Sequence, residues 1–460
     1  MSITDYKSWI LDQKVSEIEK EVGVAASSLT EYERLSTGIL VFDLFLGGGL
    51  RPGWYTIYGL EQNGKTTILS EILASAAKQQ CPILKYYDYE GTMDEHYFGK
   101  ICEKHGLGSN LDNILGLRDS NGNYINNPLI RYIPEIIAEN FFDDVQKVLK
   151  LLPTKQMMGG EWFSLLPQDR DKKDPIPEGF DEKYYKKFKR YRYPSDGKVE
   201  CIYAVDSYST MNPRDQDDQL TGQRAVRAAM FANQIPRIKG RIVQKGAVIL
   251  GVNHLRNDVS GNPYKPALYE MCGEALKSNS DVRIRLQSIS LSTCPDGIPA
   301  NKGDDPTTEK EESIENPKGI DTYKYAYAVT DKKNKYFRPC LKQYFRFWVS
   351  DCNSDPRGID SVYDVYRYLV ETGQLKGTRK KMVINLVDDR IDFELKLNWM
   401  ELKKLVIGTK DQMLEVFNSK GITRPFKLRD FCFKQLNPVG IELYKKQLSS
   451  DNKIVDDDLD

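Results

Sequence analysis

The chain has 460 residues, enough to bury at least one large core and to divide into two or three structural units. Its 66 basic side chains balance 66 acidic ones, so the net charge demands neither nucleic acid nor an anionic membrane, and any such partner must be met by local patches. The eight cysteines form no C-x-x-C pair and there are only three histidines, which supports neither a zinc site nor a disulfide framework and points to a reducing compartment.

No signal-peptide pattern opens the chain, and no run approaches the ~20 apolar residues of a membrane span, so the expectation is a soluble intracellular protein with no membrane partner. Over 1–34, Trp9, Ile10, Val15, Ile18 and Val22 recur at roughly helical spacing, which predicts a short amphipathic helix too small to fold alone. From Ser36 the texture changes. Strand-like runs "WYTIYGL", "PILKYYDYE", "ECIYAVDSYS" and "GAVILGVNH" alternate with helix-forming stretches such as "KTTILSEILASAAKQQ". That alternation predicts an α/β core, a mostly parallel sheet flanked by helices. The pattern lapses over 152–198 and again over 293–319, where Pro, Gly, Asp and Lys accumulate, and both stretches read as insertions into a core spanning 35–375. Residues 376–455 read as a small C-terminal domain, and 456–460, "DDDLD", as an acidic tail.

Within "YGLEQNGKTT", Gly59, Gly64, Lys65 and Thr66 fit the phosphate-loop pattern G-x-x-x-x-G-K-[ST]. A turn between a buried strand and a helix N-terminus points backbone N–H groups at phosphate oxygens, while the lysine reaches the terminal phosphates and the threonine holds Mg²⁺. Hydrolysis also needs a carboxylate on the metal side and a group that deprotonates water. Asp206 ends the apolar run "CIYAVD" and suits the first role; Glu90 ends "LKYYDYE" and suits the second, the alternative for each being a strand-end acid that caps the next helix.

Taken together, "STGILVFDLFLGGGL", "GLEQNGKTT", "DYEGTMDEHYFGKI" and "VDSYSTMNPRD" occur in the order and approximate spacing of the RecA recombinases, and the chain resembles that family, including its phage UvsX-type relatives. "LGVNHLRNDVSGNPYKPALYEMCGEALKSNSDVRIRL" is similar to the family's strand with a γ-phosphate sensor followed by its second DNA-binding loop, and "TDKKNKYF" to the segment that reaches the ATP of an adjacent subunit.

The resemblance implies a RecA-like P-loop ATPase core, with an N-terminal oligomerisation helix and a small C-terminal domain, that uses ATP and Mg²⁺. It places the nucleotide on Gly59, Glu61, Gln62, Asn63, Gly64, Lys65, Thr66 and Thr67, with Asp94 and Tyr97 holding the adenine and Thr66 and Asp206 on the metal side. It makes Glu90 the general base and Asn253 and His254 the sensor, where bacterial relatives have Asn-Gln and UvsX-like proteins share Asn-His. Lys333 and Lys335 would act across a subunit interface; without the family they would read as a solvated charge run. Tyr97 on its own would read as helix packing, and His254 as a satisfied buried histidine.

DNA is expected in two loops, the first with Arg214, Arg224 and Arg227 and the second with Arg256, Lys265 and Lys277 as phosphate contacts. "EKYYKKFKRYRY" over 182–193 adds cations and rings suited to a single-strand contact, or a basic element lying on its own protein. The implied function is ATP-dependent strand exchange by a helical homo-filament on single-stranded DNA that pairs with duplex DNA, serving recombination, repair and recombination-dependent replication. A single-strand-binding protein and a loader would be accessory partners, and the cytoplasm the compartment, the host's if a phage encodes the chain. Two other readings stay open, a RecA-core hexameric helicase and an ATP-switched filament-forming binding protein.

Overall fold

The computed structural model describes residues 32–108, 111–117, 119–120, 125–214, 223–258, 267–289, 323–348, 358–378, 381–387, 392–422 and 425–450. The amphipathic helix expected at the N-terminus, the second insertion and the acidic tail lie outside these residues, apart from residues 32–34.

Helix α1 (Leu40–Phe45) leads into strand β1 (Gly53–Gly59), the phosphate-loop turn and helix α2 (Lys65–Lys78). Then come β2 (Ile83–Asp88), α3 (Glu95–Lys104), the single turn α4 (Leu111–Ile114), β3 (Arg131–Pro134) and α5 (Ala138–Leu151). The stretch read as a patternless insertion folds as an antiparallel meander of β4 (Thr154–Met158), β5 (Glu161–Leu165) and β6 (Arg192–Pro194), with α6 (Glu182–Phe188) inserted before its last strand. Its strands are too short and too exposed to give a clear period-2 signal. The core resumes with β7 (Cys201–Asp206), α7 (Gln223–Gln244), β8 (Ala247–Asp258), β9 (Ala267–Glu270), α8 (Gly273–Asn279), β10 (Val282–Ile289), β11 (Tyr323–Asn334), β12 (Lys342–Trp348) and β13 (Gly358–Ile359).

These strands form one sheet in the order β13-β12-β11-β10-β1-β8-β7-β2-β3, with β9 paired to β8. From β10 to β3 all neighbours are parallel; β11, β12 and β13 extend it antiparallel. The mostly parallel α/β core expected from the sequence is therefore present. β1 and β7 are buried along their whole length because both faces are covered. Alternate residues feed two cores: Ile202 and Ala204 pack with α2 and α3, whereas Cys201, Tyr203 and Val205 pack with Phe141 and Phe142 of α5 and Phe231 and Ile235 of α7.

Beyond β13 lie α9 (Ser361–Glu371), a three-stranded sheet of β14 (Leu375–Thr378), β15 (Lys381–Val387) and β16 (Asp392–Leu397), and helices α10 (Trp399–Ile407), α11 (Lys410–Ser419), α12 (Leu428–Gln435) and α13 (Ile441–Ser450). Their apolar side chains are continuous with the α2 side of the core. The Asp364 carboxylate on α9 accepts the N–H groups of Leu40 and Val41 at 2.8 and 3.1 Å, capping α1 from 324 and 323 residues away. No described helix is long and apolar enough to cross a membrane.

Glu71 locks the phosphate-loop helix to its surroundings. It is 0% exposed and accepts from His105 Nε2 at 2.7 Å, from the Ile359 N–H at 2.8 Å and from Lys104. Burial opposes its ionisation, yet Lys104 and His105 hold the carboxyl down at about 2, while burial pushes His105 down to about 4. Both folded-state values lie below the unfolded ones, so the stability they contribute is present near neutral pH and is lost on acidification, first from His105 below about 6.5 and then from Glu71 below about 4.5. Glu71→Gln strands a buried ammonium and is expected to cost about 3–5 kcal/mol in urea unfolding at pH 7. Its stability should fall less between pH 5 and 3 than the wild type's; a loss under ~1 kcal/mol would contradict this reading of the network.

Candidate functional site

The parallel strands end together where the turn after β1 opens, the edge at which open α/β sheets place their ligands. Gly64 is the N-cap of α2 with φ of 81°, and a Cβ there would meet the Phe347 ring at 3.1 Å, so both conformation and space call for glycine. Asn63 ties the turn to β10, donating to the Leu286 carbonyl at 3.1 Å and accepting from Ser288 Oγ at 2.5 Å. Lys65 Nζ donates to the carbonyls of Gly59 and Leu60 at 3.2 and 2.6 Å. Burial lowers its pKa, against the pull of Asp206, Glu90 and Glu61.

Thr66 Oγ1 donates to Asp206 Oδ2 at 2.6 Å, which brings the hydroxyl and the strand-end carboxylate together. Burial pushes Asp206 up to about 6 although Thr66 opposes the shift. Such a buried acid, reached by the hydroxyls of Thr66 and, at 3.4 Å, Tyr86, suits a site that a divalent cation would neutralise.

Glu90 lies two residues past β2, on a turn organised by Asp88, whose carboxylate accepts the N–H groups of Glu90, Gly91 and Met93 at 3.0, 2.8 and 3.2 Å. Glu90 Oε1 accepts from His254 Nε2 at 2.8 Å and Ser207 Oγ at 2.6 Å. His254 is the main reason its pKa lies below the ordinary carboxylate value, with Ser207 adding to the effect and burial opposing it. The carboxylate is thus ionised at neutral pH, aimed by two donors, and set in the cleft.

That cleft, of about 560 Å³, is lined by the loop residues from Glu61 to Thr67 other than Asn63, and by Glu90, Tyr97 and His254. The Tyr97 hydroxyl lies 2.6 Å from Thr67 Oγ1. Asp94 caps α3, accepting the Tyr97 N–H at 2.9 Å. Asn253 is 0% exposed and turned away from the cleft, donating to Glu270 Oε1 at 3.0 Å and to the Met271 carbonyl at 2.9 Å. Adjacent residues of a strand point to opposite faces, so only one member of the Asn253-His254 pair can face Glu90.

Lys324, Phe347 and Trp348 complete the wall and were not singled out from the sequence. They arrive through the pairing of β11 with β12, in which Lys324 opposes Phe347, about 280 residues from the loop they flank. No local motif marks them. Lys324 Nζ donates to Gln62 Oε1 at 3.1 Å.

Lys333 and Lys335 stand at the opposite edge of the sheet. Lys335 Nζ meets Asp281 Oδ1 at 2.7 Å, and Lys333 Nζ donates to the carbonyls of Lys277, at 3.1 Å, and of Ser278. Val282 opposes Tyr55 and Asn334 there, whereas Gly59 opposes Leu286 at the loop edge, a separation of four residues or about 13 Å along the strand.

Among the residues expected to contact DNA, Arg214 meets Asn140 at 3.1 Å and is exposed, as is Arg256. Arg227 donates to the Ser209 carbonyl at 2.5 Å and to Asn212 Oδ1 at 3.4 Å, close enough to Arg256 to feel its charge. Lys277 pairs with Glu274 at 2.9 Å. Lys265 and the Arg224 side chain lie outside the described residues. In the meander, the rings of 182–193 are engaged with one another: Tyr185 stacks on Tyr191 at 4.5 Å, and Arg192 lies 4.2 Å over Tyr184 and 4.3 Å over Phe163.

Lys324→Ala is expected to weaken binding of a fluorescent ATP analogue about tenfold, ~1.4 kcal/mol, with little change in the urea midpoint. Unchanged affinity would show that Lys324 does not contact a nucleotide in this cleft.

No family model matches the chain. It is similar to protein RecA of Synechocystis sp., 23% identical over 295 residues that cover 62% of this chain and 64% of the relative. It is likewise similar to protein RecA of Synechococcus elongatus, 23% identical over 304 residues covering 64% and 66%. A shorter stretch of 118 residues is 37% identical to protein RecA of Sinorhizobium medicae, covering 24% of this chain and 31% of the relative. The chain thus spans just under two thirds of the length of the first two relatives. The chain is thus distantly similar to RecA proteins, and its mostly parallel sheet flanked by helices is consistent with a RecA-like core.

Proposed function

We propose that the protein is an ATP-dependent recombinase that forms head-to-tail filaments on single-stranded DNA and pairs that strand with a homologous duplex. The observation that carries this is the division of charged groups between the two edges of the sheet. Lys65, Thr66, Asp206 and Glu90 gather at one edge, while Lys333 and Lys335 sit about 13 Å away along the strands at the other. Within one chain the two sets cannot serve one nucleotide; in a heterologous contact, the second edge of one copy faces the first edge of the next, and an unclosed contact of that kind yields a helical filament. Distant similarity to RecA proteins supports the same reading.

In this reading the loop N–H groups and Lys65 hold the ATP phosphates, Thr66 and Asp206 hold Mg²⁺, and Tyr97 lies on the base side. Bound Mg²⁺ neutralises phosphate charge. Glu90, ionised and aimed by His254 and Ser207, takes the proton of the attacking water. Lys333 and Lys335 of a neighbouring copy add positive charge as an arginine finger does, so hydrolysis is tied to polymerisation. Arg227 and Arg256 contact DNA phosphates without reading bases, and the acidic tail over 456–460 competes with DNA for basic surface.

ATP hydrolysis measured with and without single-stranded DNA tests this. Strong stimulation is expected in the wild type, with a loss of about a hundredfold or more in Glu90→Gln. In His254→Ala the Glu90 carboxyl loses its main stabilising donor and its pKa rises, so the acid limb of the pH–rate profile should move to higher pH. Hydrolysis indifferent to DNA, or surviving loss of Glu90, would overturn the recombinase reading.

A further inference from the structure

The turn after β7 carries three aliphatic hydroxyls within four residues, Ser207, Ser209 and Thr210, with Tyr208 between the first two. Ser207 Oγ lies 2.6 Å from Glu90 Oε1, 2.6 Å from Ser209 Oγ and 3.2 Å from Thr210 Oγ1. An ionised carboxylate only accepts, so the single Ser207 proton goes to Glu90. Ser209 must then be the donor to Ser207 Oγ. Thr210 Oγ1 spends its own proton on the Ser207 carbonyl at 3.0 Å and accepts the Ser207 N–H at 3.3 Å, closing the turn. The result is a one-way chain, Ser209 to Ser207 to Glu90, in which each hydroxyl polarises the next. Ser207 is 0% and Ser209 6% exposed, so water competes little for these bonds.

The far end of this chain is held by a charged group from another element. Arg227 of α7 donates through Nη1 to the carbonyl of Ser209, the same residue whose hydroxyl starts the chain, and through Nη2 to Asn212. Between these anchors Tyr208 is fixed, its ring fully buried and its N–H bonded to the Val252 carbonyl at 2.9 Å. Burial disfavours the charged state of Arg227, and the like charge of Arg256 nearby adds to this while Cys272 opposes it, so an approaching phosphate offers the guanidinium an ionic partner that the Ser209 carbonyl is not.

We infer that Ser209 is a positioning residue for Glu90, and that it transmits the engagement of Arg227 by a DNA phosphate to the Glu90 carboxylate through Ser207. This rests on the recombinase reading above and deepens it, since it gives DNA a bonded route to the hydrolytic group that does not pass through β8 and His254.

Ser209→Ala and Ser209→Thr, assayed as full-length protein with and without saturating oligothymidylate, test it. In Ser209→Ala the DNA-stimulated kcat should fall about tenfold, with KM for ATP and oligonucleotide affinity within about twofold of wild type; Ser209→Thr, which keeps the hydroxyl, should recover most of the rate. A second readout needs no nucleotide: oligothymidylate should change amide hydrogen exchange of the peptide containing Glu90 in the wild type and not in Ser209→Ala. A variant that keeps full stimulation, or loses kcat, KM and DNA affinity together without recovery in Ser209→Thr, overturns the inference while leaving the recombinase reading standing. A wild type that DNA does not stimulate overturns both.

Discussion

A strand buried on both faces can carry chemistry only at its ends. β1 is in that position, with every residue from Gly53 to Gly59 buried between β8 and β10. Charge and flexibility are therefore pushed to its two termini. At one end the chain leaves through a glycine turn that opens a helix; at the other Asp281 accepts the Trp54 N–H at 2.9 Å and pairs with Lys335. The two-ended distribution of functional groups follows from that burial, and so does the case for a site completed by a second copy.

The same constraint explains what could be read from sequence. Strand–loop–helix is local, so the glycine pattern, the preceding apolar run and the helix-forming stretch after it could be placed together from ten adjacent letters, "YGLEQNGKTT". Asp206 and Glu90 were legible because each follows an apolar run, and parallel strands deliver their C-terminal ends to one edge. Lys324, Phe347 and Trp348 were not legible, because they reach the cleft by antiparallel pairing at long sequence distance, and nothing in "YKYAY" or "RFW" states the register. The meander over 154–194 was missed as structure for a related reason: its rings satisfy one another, so its residues look like a solvated charged run.

The surroundings of Glu90 show how its ionisation is arranged, with the His254 hydrogen bond first among the groups that favour it and the Lys65 charge adding a weaker pull. His254 arrives from β8, Ser207 from the turn after β7, and the Asp88 carboxylate shapes the backbone that presents it, so elements from three strands meet at one oxygen. Asn253, one residue before His254, serves the other face of β8, where it joins Glu270 and, through it, Arg283. The strand's alternation divides the pair into one residue for the cleft and one for the interior.

The measurement that bears most directly on a shared site is complementation between two inactive variants. Lys65→Ala retains Lys333 but loses the loop lysine; Lys333→Ala retains the loop. Each alone should hydrolyse ATP poorly on single-stranded DNA. If sites are built from the loop of one copy and the lysine of the next, random equimolar mixing leaves both halves intact at one junction in four, and about a quarter of wild-type activity should return. A mixture no more active than its components would contradict a site divided between copies.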